Sequence, residues 1–369
     1  MLRQRSTALP LAAVYALLVV YASLYPFVGW RWPAGAQWTE LLWLRWPPWW
    51  DRFDDVSNFL GYAPLGALLA LGWARSGVPV MRGTVAALCL PALLSYAMEC
   101  TQHFIPVRVP SGRDWALNAA GAAAGVLAAL ILRRWGWVDR WRLWRARWFE
   151  PQASPALVLL LLWPVALLFP APLPLGLGQV FEELSAWVPR VLEGTPWAQA
   201  VAPPVVQRGV LRPTLSPLLE SGAVAAGFLA PCLLAHAALR PGWRRLLVPF
   251  AVLALALITT ALSTALNFGP SHAWAWVTPA VTPGLVLGLA LGVALARSSS
   301  RLAAALGLMA LATSVSLGAS APSDPYFSAS LQLWEQGQFI RFHGMSQWVG
   351  WAWPYAAMAW LLSRLAQPR

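Results

Sequence analysis

Long apolar runs separated by short, arginine-rich breaks are the dominant pattern of this chain. Clear examples are Leu9–Tyr25, Gly83–Met98, Ala116–Leu132, Leu246–Thr259 and Ala280–Ala296. A helix rises about 1.5 Å per residue, so about 20 apolar residues cross the roughly 30 Å hydrocarbon core of a bilayer. Each run approaches that length. Repeated runs of this kind cannot form one soluble core, and they predict membrane-spanning helices.

Ten spans account for the apolar runs, which predicts an all-α, polytopic transmembrane bundle of about ten helices. The composition agrees, because 59% of the 369 residues are hydrophobic and only 11% are charged, whereas soluble domains carry about 25% charged residues. The first span lacks a small-residue cleavage site, so we expect it to be retained as a helix. The spans lie at about 8–29, 56–74, 84–105, 114–132, 154–171, 219–239, 246–267, 275–296, 302–319 and 346–363.

Arginine is distributed unevenly between the two predicted sides of the membrane. With a cytoplasmic N-terminus, the inside segments hold 17 arginines and two acidic residues, and the outside segments hold nine arginines and twelve acidic residues. Short cytoplasmic loops of membrane proteins carry the excess of positive charge. We therefore predict that both termini are cytoplasmic (N-in and C-in).

Three longer segments between the spans fall on the predicted outer side. The first is crowded with tryptophan, which favours the headgroup region because its ring is buried there while its N–H stays hydrated. We expect all three segments to pack at the membrane interface. They comprise residues 30–55, 172–218 and 320–345.

One basic segment, Arg133–Phe149, alternates arginine with tryptophan. Such side chains can stack on nucleic-acid bases, but a basic aromatic helix on the cytoplasmic face of an anionic membrane explains them more simply. We therefore expect no nucleic-acid partner. The segment also marks a predicted boundary between a four-helix module, residues 1–148, and a module of about six spans, residues 149–369, whose role is unassigned.

Few residues are available for metal or cofactor chemistry. Cys89, Cys100 and Cys232 lie in or at the ends of apolar runs, so the sequence offers neither a disulfide framework nor a CxxC metal site. The His, Asp and Glu residues do not form a cluster with metal-ligand spacing. We predict no metal and no cofactor.

Polar side chains inside a span are costly, and they usually serve a purpose. In this chain they concentrate at the hairpin that joins the third and fourth spans. Glu99 and Gln102 are three residues apart there and share a helix face. Six residues of this hairpin are predicted as candidate ligand-binding residues: Glu99, Gln102, Arg108, Ser111, Asp114 and Asn118.

The spacing within the hairpin predicts which of these residues meet. Ser111 and Asp114 have the spacing of a capping pair, so the fourth helix should begin there. Asp114 and Asn118 are four residues apart and share a face. Arg108 lies on the connecting loop, within predicted reach of both Glu99 and Asp114.

These residues resemble the VanZ-like family of membrane proteins over about residues 8–132. The segment from Asp55 to Gly66 looks like the family's acidic helix start followed by an aromatic-Leu-Gly stretch. The segment from Glu99 to Gly121 matches its E-x-x-Q, Pro, Arg, D-x-x-x-N and small-residue helix. Glycines in that last helix allow close helix approach. The resemblance adds the supporting residues Asp55, Asn58, Tyr62, Gly121 and Gly125.

The resemblance implies a multi-pass protein of the bacterial cytoplasmic (inner) membrane, in a family named for low-level resistance to the glycopeptide teicoplanin. We expect the hairpin to bind a polar or anionic lipid-linked ligand at the outer leaflet, with Arg108 as a natural contact for phosphate. Expected partners are membrane lipids and a lipid-linked cell-wall precursor or glycopeptide. The sequence does not predict an oligomeric state.

Other interpretations of the hairpin remain open. Glu99, Arg108 and Asp114 can form a paired network that only locks the two helices. A membrane enzyme acting on a lipid headgroup could use Glu99 and Asp114 as acid and base, although no nucleophile with an adjacent base is visible. A transporter would need polar residues near the middle of several spans, whereas these cluster at outer ends. We favour a non-enzymatic binding protein.

A second polar stripe follows the seventh span, and small hydroxyl residues of this kind commonly join helices. Packing is therefore the favoured interpretation. Glu220 and Ser221 begin the sixth span on the same predicted side and could meet the stripe in a second outer site. The stripe consists of Thr260, Ser263, Thr264 and Asn267.

Overall fold

A computed structural model describes residues 8–25, 27, 29–48, 51–171, 173–179, 215–321 and 340–367. Most of two segments that were expected at the membrane interface, 172–218 and 320–345, lies outside these residues. The tryptophan-rich segment is described except at residues 49 and 50, and side chains such as Trp38 and Trp43 are exposed there.

The described residues form eleven α-helices and no β-strand. In chain order the helices are α1 (Ala8–Leu24), α2 (Arg52–Arg75), α3 (Val80–Gln102), α4 (Gly112–Arg134), α5 (Trp137–Trp148), α6 (Ser154–Ala166), α7 (Pro217–Ala238), α8 (Leu247–Phe268), α9 (Val281–Ala294), α10 (Ser300–Ser320) and α11 (Ile340–Leu365).

Ten of these helices fall on the ten predicted spans, which confirms the all-α prediction, and α5 is the basic aromatic segment. Among the described residues, α2, α3, α4, α7, α8 and α10 are long and apolar enough to cross a membrane, whereas α1, α6 and α9 are shorter apolar helices. The chain is therefore a multi-pass helical membrane protein. Its N-in and C-in orientation stays a prediction.

In the hairpin between α3 and α4, the second helix begins where the spacing of Ser111 and Asp114 predicts. The Ser111 hydroxyl accepts a hydrogen bond from the Asp114 N–H (3.2 Å) and caps α4, which satisfies a backbone donor that the first turn leaves open. At the other end, Arg133 and Arg134 occupy the last turn, where positive charge is favoured by the helix dipole. Gly136 then turns the chain out of the helix with a φ of 69°.

The chain divides into two compact units, Met1–Arg145 and Ala146–Arg369. The boundary lies within α5, close to the module boundary expected from the sequence. That residues 1–148 and 149–369 form separate modules stays a prediction.

In the first unit, α2 and α4 touch along their backbones. A Cβ atom on Gly121 would overlap the carbonyl oxygen of Phe59, and a Cβ atom on Gly125 would overlap that of Ala63. Small residues allow membrane helices to approach this closely. The close approach brings the polar residues of α2 and α4 side by side.

In the second unit, α7 lies at the centre and contacts α6, α8, α9, α10 and α11. Large side chains fill the space around it, among them the buried Trp163 and Phe228. Trp353 also lies in this core, and its indole Nε1–H donates to the carbonyl of Leu159 (2.6 Å). The second unit therefore has a conventional packed core around one helix.

Candidate functional site

Glu99 lies in the last turn of α3 and is 5% exposed. Its Oε2 accepts a hydrogen bond from the backbone N–H of Ser111 (2.9 Å). Because the Ser111 hydroxyl also caps α4, this one residue links the Glu99 carboxylate to the start of the next helix. The fold thus holds a carboxylate between two helix ends.

Three more buried polar residues surround Glu99. Asn118 on α4 donates from Nδ2 to the Ser95 hydroxyl on α3 (2.9 Å), and both side chains are buried. Tyr62 on α2 turns its hydroxyl toward Ser95 and Glu99. We call Tyr62, Ser95, Glu99 and Asn118 the Glu99 cluster.

Two atoms of the Glu99 cluster have unused hydrogen-bonding capacity. The buried Tyr62 hydroxyl and Asn118 Oδ1 form no hydrogen bond among the described residues, although Ser95 and Ser23 lie close to the Tyr62 hydroxyl. Native proteins rarely leave buried polar atoms unpaired, because each costs about 1–3 kcal/mol. A bound ligand is one explanation that the arrangement supports.

Asp114 is half-buried at the start of α4, and several polar groups face it from neighbouring elements. Asn58 and Ser111 lie within hydrogen-bonding range of its carboxylate, and Asp54 and Asp55 are close enough to repel it. Asp114 in turn acts electrostatically on Glu99. The α2–α3–α4 end of the first unit is therefore rich in carboxylates.

Arg108 and Gln102 both bind the end of α1. Arg108 donates from Nε and Nη2 to the carbonyl of Tyr25 (3.0 and 2.6 Å) and from Nη2 to that of Ala22 (2.9 Å). Gln102 donates from Nε2 to the carbonyl of Ser23 (3.0 Å). The last carbonyls of a helix lack partners within it and carry negative partial charge, so a guanidinium is well suited to them.

These contacts add a structural role to the binding role expected for Arg108, which stays a prediction. The sequence places it within reach of Glu99 and Asp114 and suggests a phosphate contact, whereas its described hydrogen bonds go to backbone carbonyls of α1. Arg108 remains near enough to Glu99 for electrostatic attraction. Its main structural effect is to tie the α3–α4 loop to the first helix.

An ion pair that the sequence did not predict joins α2 to α4. Arg113 donates from Nε to Asp55 Oδ1 (2.9 Å) and from Nη2 to Asp55 Oδ2 (2.6 Å), a bidentate geometry. Asp55 was expected only as a supporting residue, and Arg113 was not singled out. The available signal was the presence of opposite charges in the first turns of two helices that pack together.

Residues 7–133 match the family model described as VanZ/LLP1. The N-terminal part of this chain belongs to the VanZ/LLP1 family. The match covers about a third of the chain and agrees with the resemblance seen at residues 8–132. No curated protein matches the chain, and no solved structure matches it.

The VanZ-type module contains every predicted site residue. From Asp55 to Gly125, all of them lie within the matched range and within the first compact unit. The structure brings Glu99, Ser111 and Asp114 together, and it bonds Gln102 and Arg108 to the end of α1 with Arg108 still near Glu99. Within the described residues, no group of three or more His, Cys, Asp and Glu side chains could hold a metal ion.

The polar stripe on α8 lies outside the VanZ-type module and joins helices. Ser263 donates to the carbonyl of Leu168, just after α6 (2.7 Å), whereas the bond from Asn267 to the carbonyl of Ser263 (2.8 Å) lies within α8. Glu220 accepts from the Thr278 hydroxyl instead of meeting the stripe (3.0 Å). These contacts agree with the packing interpretation.

Proposed function

We propose that the VanZ-type module binds a polar, lipid-linked ligand at the outer leaflet of the bacterial inner membrane. The observation that carries the proposal is the Glu99 cluster, a buried carboxylate beside two polar atoms with no partner among the described residues. Ionisable residues within membrane spans mark functional sites more often than not. The chain is a membrane protein of the VanZ type, and the ligand is the proposed addition.

The position of the cluster along its helix supports a site near one membrane surface. Glu99 lies within one turn of Gln102, where α3 ends, and Ser111 stands directly before α4 begins. With the predicted cytoplasmic N-terminus, three spans bring the chain to the outer face at this hairpin. A headgroup in the outer leaflet would therefore approach Glu99 over a short distance.

The family's link to glycopeptide resistance suggests the ligand class to test first. We propose a lipid-linked cell-wall precursor, or teicoplanin itself, as the partner of the module. Both carry many hydrogen-bond donors, which suit the acceptors Glu99, Asp114 and Asn118. Under this proposal the protein acts by binding rather than by turnover.

The test uses the full chain with Glu99→Gln in lipid nanodiscs. Glutamine can still accept the Ser111 N–H, so the hairpin should keep its fold. We expect the affinity for a lipid-linked cell-wall precursor to fall about tenfold or more, since hydrogen bonds to charged groups contribute about 1.5–3 kcal/mol. Teicoplanin susceptibility of cells that produce the variant should rise in parallel.

Glu220→Gln is the matched control, because Glu220 is also a buried carboxylate near a helix end, in the second unit. It should leave both measurements unchanged. A folded Glu99→Gln protein with wild-type binding and wild-type susceptibility would contradict the proposal. Glu99-dependent conversion of the precursor into a product would instead support the enzyme alternative.

A further inference from the structure

The charges around the Glu99 cluster are predominantly negative. Asp114 and Arg108 act on Glu99, and Asp54 and Asp55 act on Asp114. The Arg108 guanidinium is bonded to backbone carbonyls of α1. Glu99 and Asp114 are thus close to each other, Asp54 and Asp55 are close to Asp114, and the nearest cation, Arg108, is hydrogen-bonded to other acceptors.

The other cation of this region, Arg113, is also bound to a partner. Arg113 forms its bidentate pair with Asp55 at 2.6 and 2.9 Å. A phosphate at the cluster would therefore meet carboxylates, and the nearest guanidinium groups would have to leave their partners to reach it. This argues against an anionic group as the part of the ligand that enters the cluster.

The hydrogen-bonding capacity of the cluster specifies what the ligand must offer. Glu99 accepts one described hydrogen bond, through Oε2, although an ionised carboxylate has about four acceptor positions. The Asn118 Oδ1 is a second acceptor with no partner among the described residues, and the Tyr62 hydroxyl, which lies near Ser95 and Glu99, forms no described hydrogen bond either. The cluster therefore needs hydrogen-bond donors close together.

We propose that the Glu99 cluster binds a primary ammonium group. This inference rests on the proposed binding function and names the chemistry that the site selects. An ammonium carries three donors on one atom and a positive charge, so it can serve Glu99 and Asn118 together while it offsets the surrounding carboxylates. The group can come from an ethanolamine-type lipid headgroup or from a soluble amine.

The experiment uses native mass spectrometry of the full chain released from micelles that contain a defined lipid. The probes are phosphatidylethanolamine, its N-acetylated form and phosphatidylglycerol. N-acetylation keeps the phosphate and the acyl chains but removes the charge and two of the donors. We expect the protein to retain phosphatidylethanolamine at least about tenfold more strongly than either other lipid.

Two variants connect that preference to the cluster. Glu99→Gln should abolish the preference, and the control Glu220→Gln should keep it. Tyr62→Phe removes only a hydroxyl without a described partner, so it should fold normally and weaken retention. It keeps the inference testable even where Glu99→Gln lowers the yield of folded protein.

Soluble ethanolamine distinguishes the two sources of the amine. Displacement of phosphatidylethanolamine by millimolar ethanolamine would indicate that the site recognises the amine itself, and resistance to displacement would indicate a lipid headgroup. Equal retention of the N-acetylated lipid by the wild-type protein would overturn the ammonium inference. If precursor binding still depended on Glu99 in that case, the proposed function would stand and only the ligand class would be wrong.

Discussion

Both units bury charged side chains: Arg245 in the second unit is 0% exposed, and Glu99 in the first is 5% exposed. The terminal nitrogens of Arg245 donate to the carbonyls of Leu239 and Ser298 and to the Ser300 hydroxyl, at distances of 2.6–2.8 Å. A buried charge is tolerated when dipoles of the opposite sign surround it. We therefore regard Arg245 as structural.

Glu99 has the opposite surroundings. It accepts one described hydrogen bond and has another carboxylate, Asp114, acting on it. A like charge nearby raises the cost of burial. The comparison teaches that burial alone does not distinguish these two charges, and that the complementarity of their neighbours does.

The two units also differ in how their helices are packed. In α7, 72% of an 18-residue apolar stretch is buried inside the protein, against 33% in α4. The second unit therefore depends on side chains around a central helix. The first depends on a narrow backbone contact between α2 and α4, and small changes there should have larger effects.

The largest effect on stability should come from Gly125→Ala in α4. The added methyl group would overlap the carbonyl oxygen of Ala63, a backbone atom that cannot move aside as a flexible side chain can. We expect the free energy of unfolding to fall by about 3 kcal/mol, the upper end of usual overpacking costs. Unfolding by SDS in mixed micelles, followed by circular dichroism, measures the change.

Gly61→Ala on α2 is the matched control, since no atom lies within 4 Å of the added Cβ. It should leave stability unchanged or raise it slightly, because alanine favours the helix over glycine. Equal effects of the two substitutions would show that the backbone contact between α2 and α4 does not limit the stability of the first unit.

A smaller loss of stability is expected from Arg245→Met in the second unit. Methionine fills similar apolar volume but leaves the carbonyls of Leu239 and Ser298 without their charged donor. We expect a loss of about 2 kcal/mol, measured as a lower thermal midpoint. Arg297→Met is the control, because Arg297 is exposed in the connection between α9 and α10. If Arg245→Met were as stable as the control, the assignment of a structural role would be wrong.

Local sequence patterns predicted the helices well, because hydrophobic length and capping depend on neighbouring residues. The ten spans and the Ser111 cap follow from such patterns. A close helix approach at Gly121 and Gly125 could also be predicted, since the two glycines recur on one face, although the pattern did not identify α2 as the partner. These features need no knowledge of how distant helices are rotated.

The partners of the site residues could not be predicted from the sequence in the same way. Arg108 bonds to carbonyls more than 80 residues earlier in the chain, and Ser95 joins the Glu99 cluster only because of how α3 faces α4. The rotation and tilt of a membrane helix are set by packing against its neighbours. A sequence pattern therefore located the polar hairpin but could not assign each side chain to its partner.

The smallest effect on stability concerns two ion pairs among the described residues, one in each unit. Asp55 and Arg113 form two short hydrogen bonds, and their side chains are 20% and 26% exposed. Glu150 and Arg364 in the second unit approach only to 3.8 Å, at similar exposure. Bidentate geometry adds strength that a distant pair lacks.

A double-mutant cycle with Asp55→Asn and Arg113→Gln should therefore give a coupling energy of about 1 kcal/mol in the free energy of unfolding. The equivalent cycle with Glu150→Gln and Arg364→Gln should give about 0.3 kcal/mol or less. If the Asp55 cycle showed no coupling while each single variant lost precursor binding, Asp55 would be a binding residue rather than a structural one. The carboxylate-rich site would then extend from Glu99 to the first turn of α2.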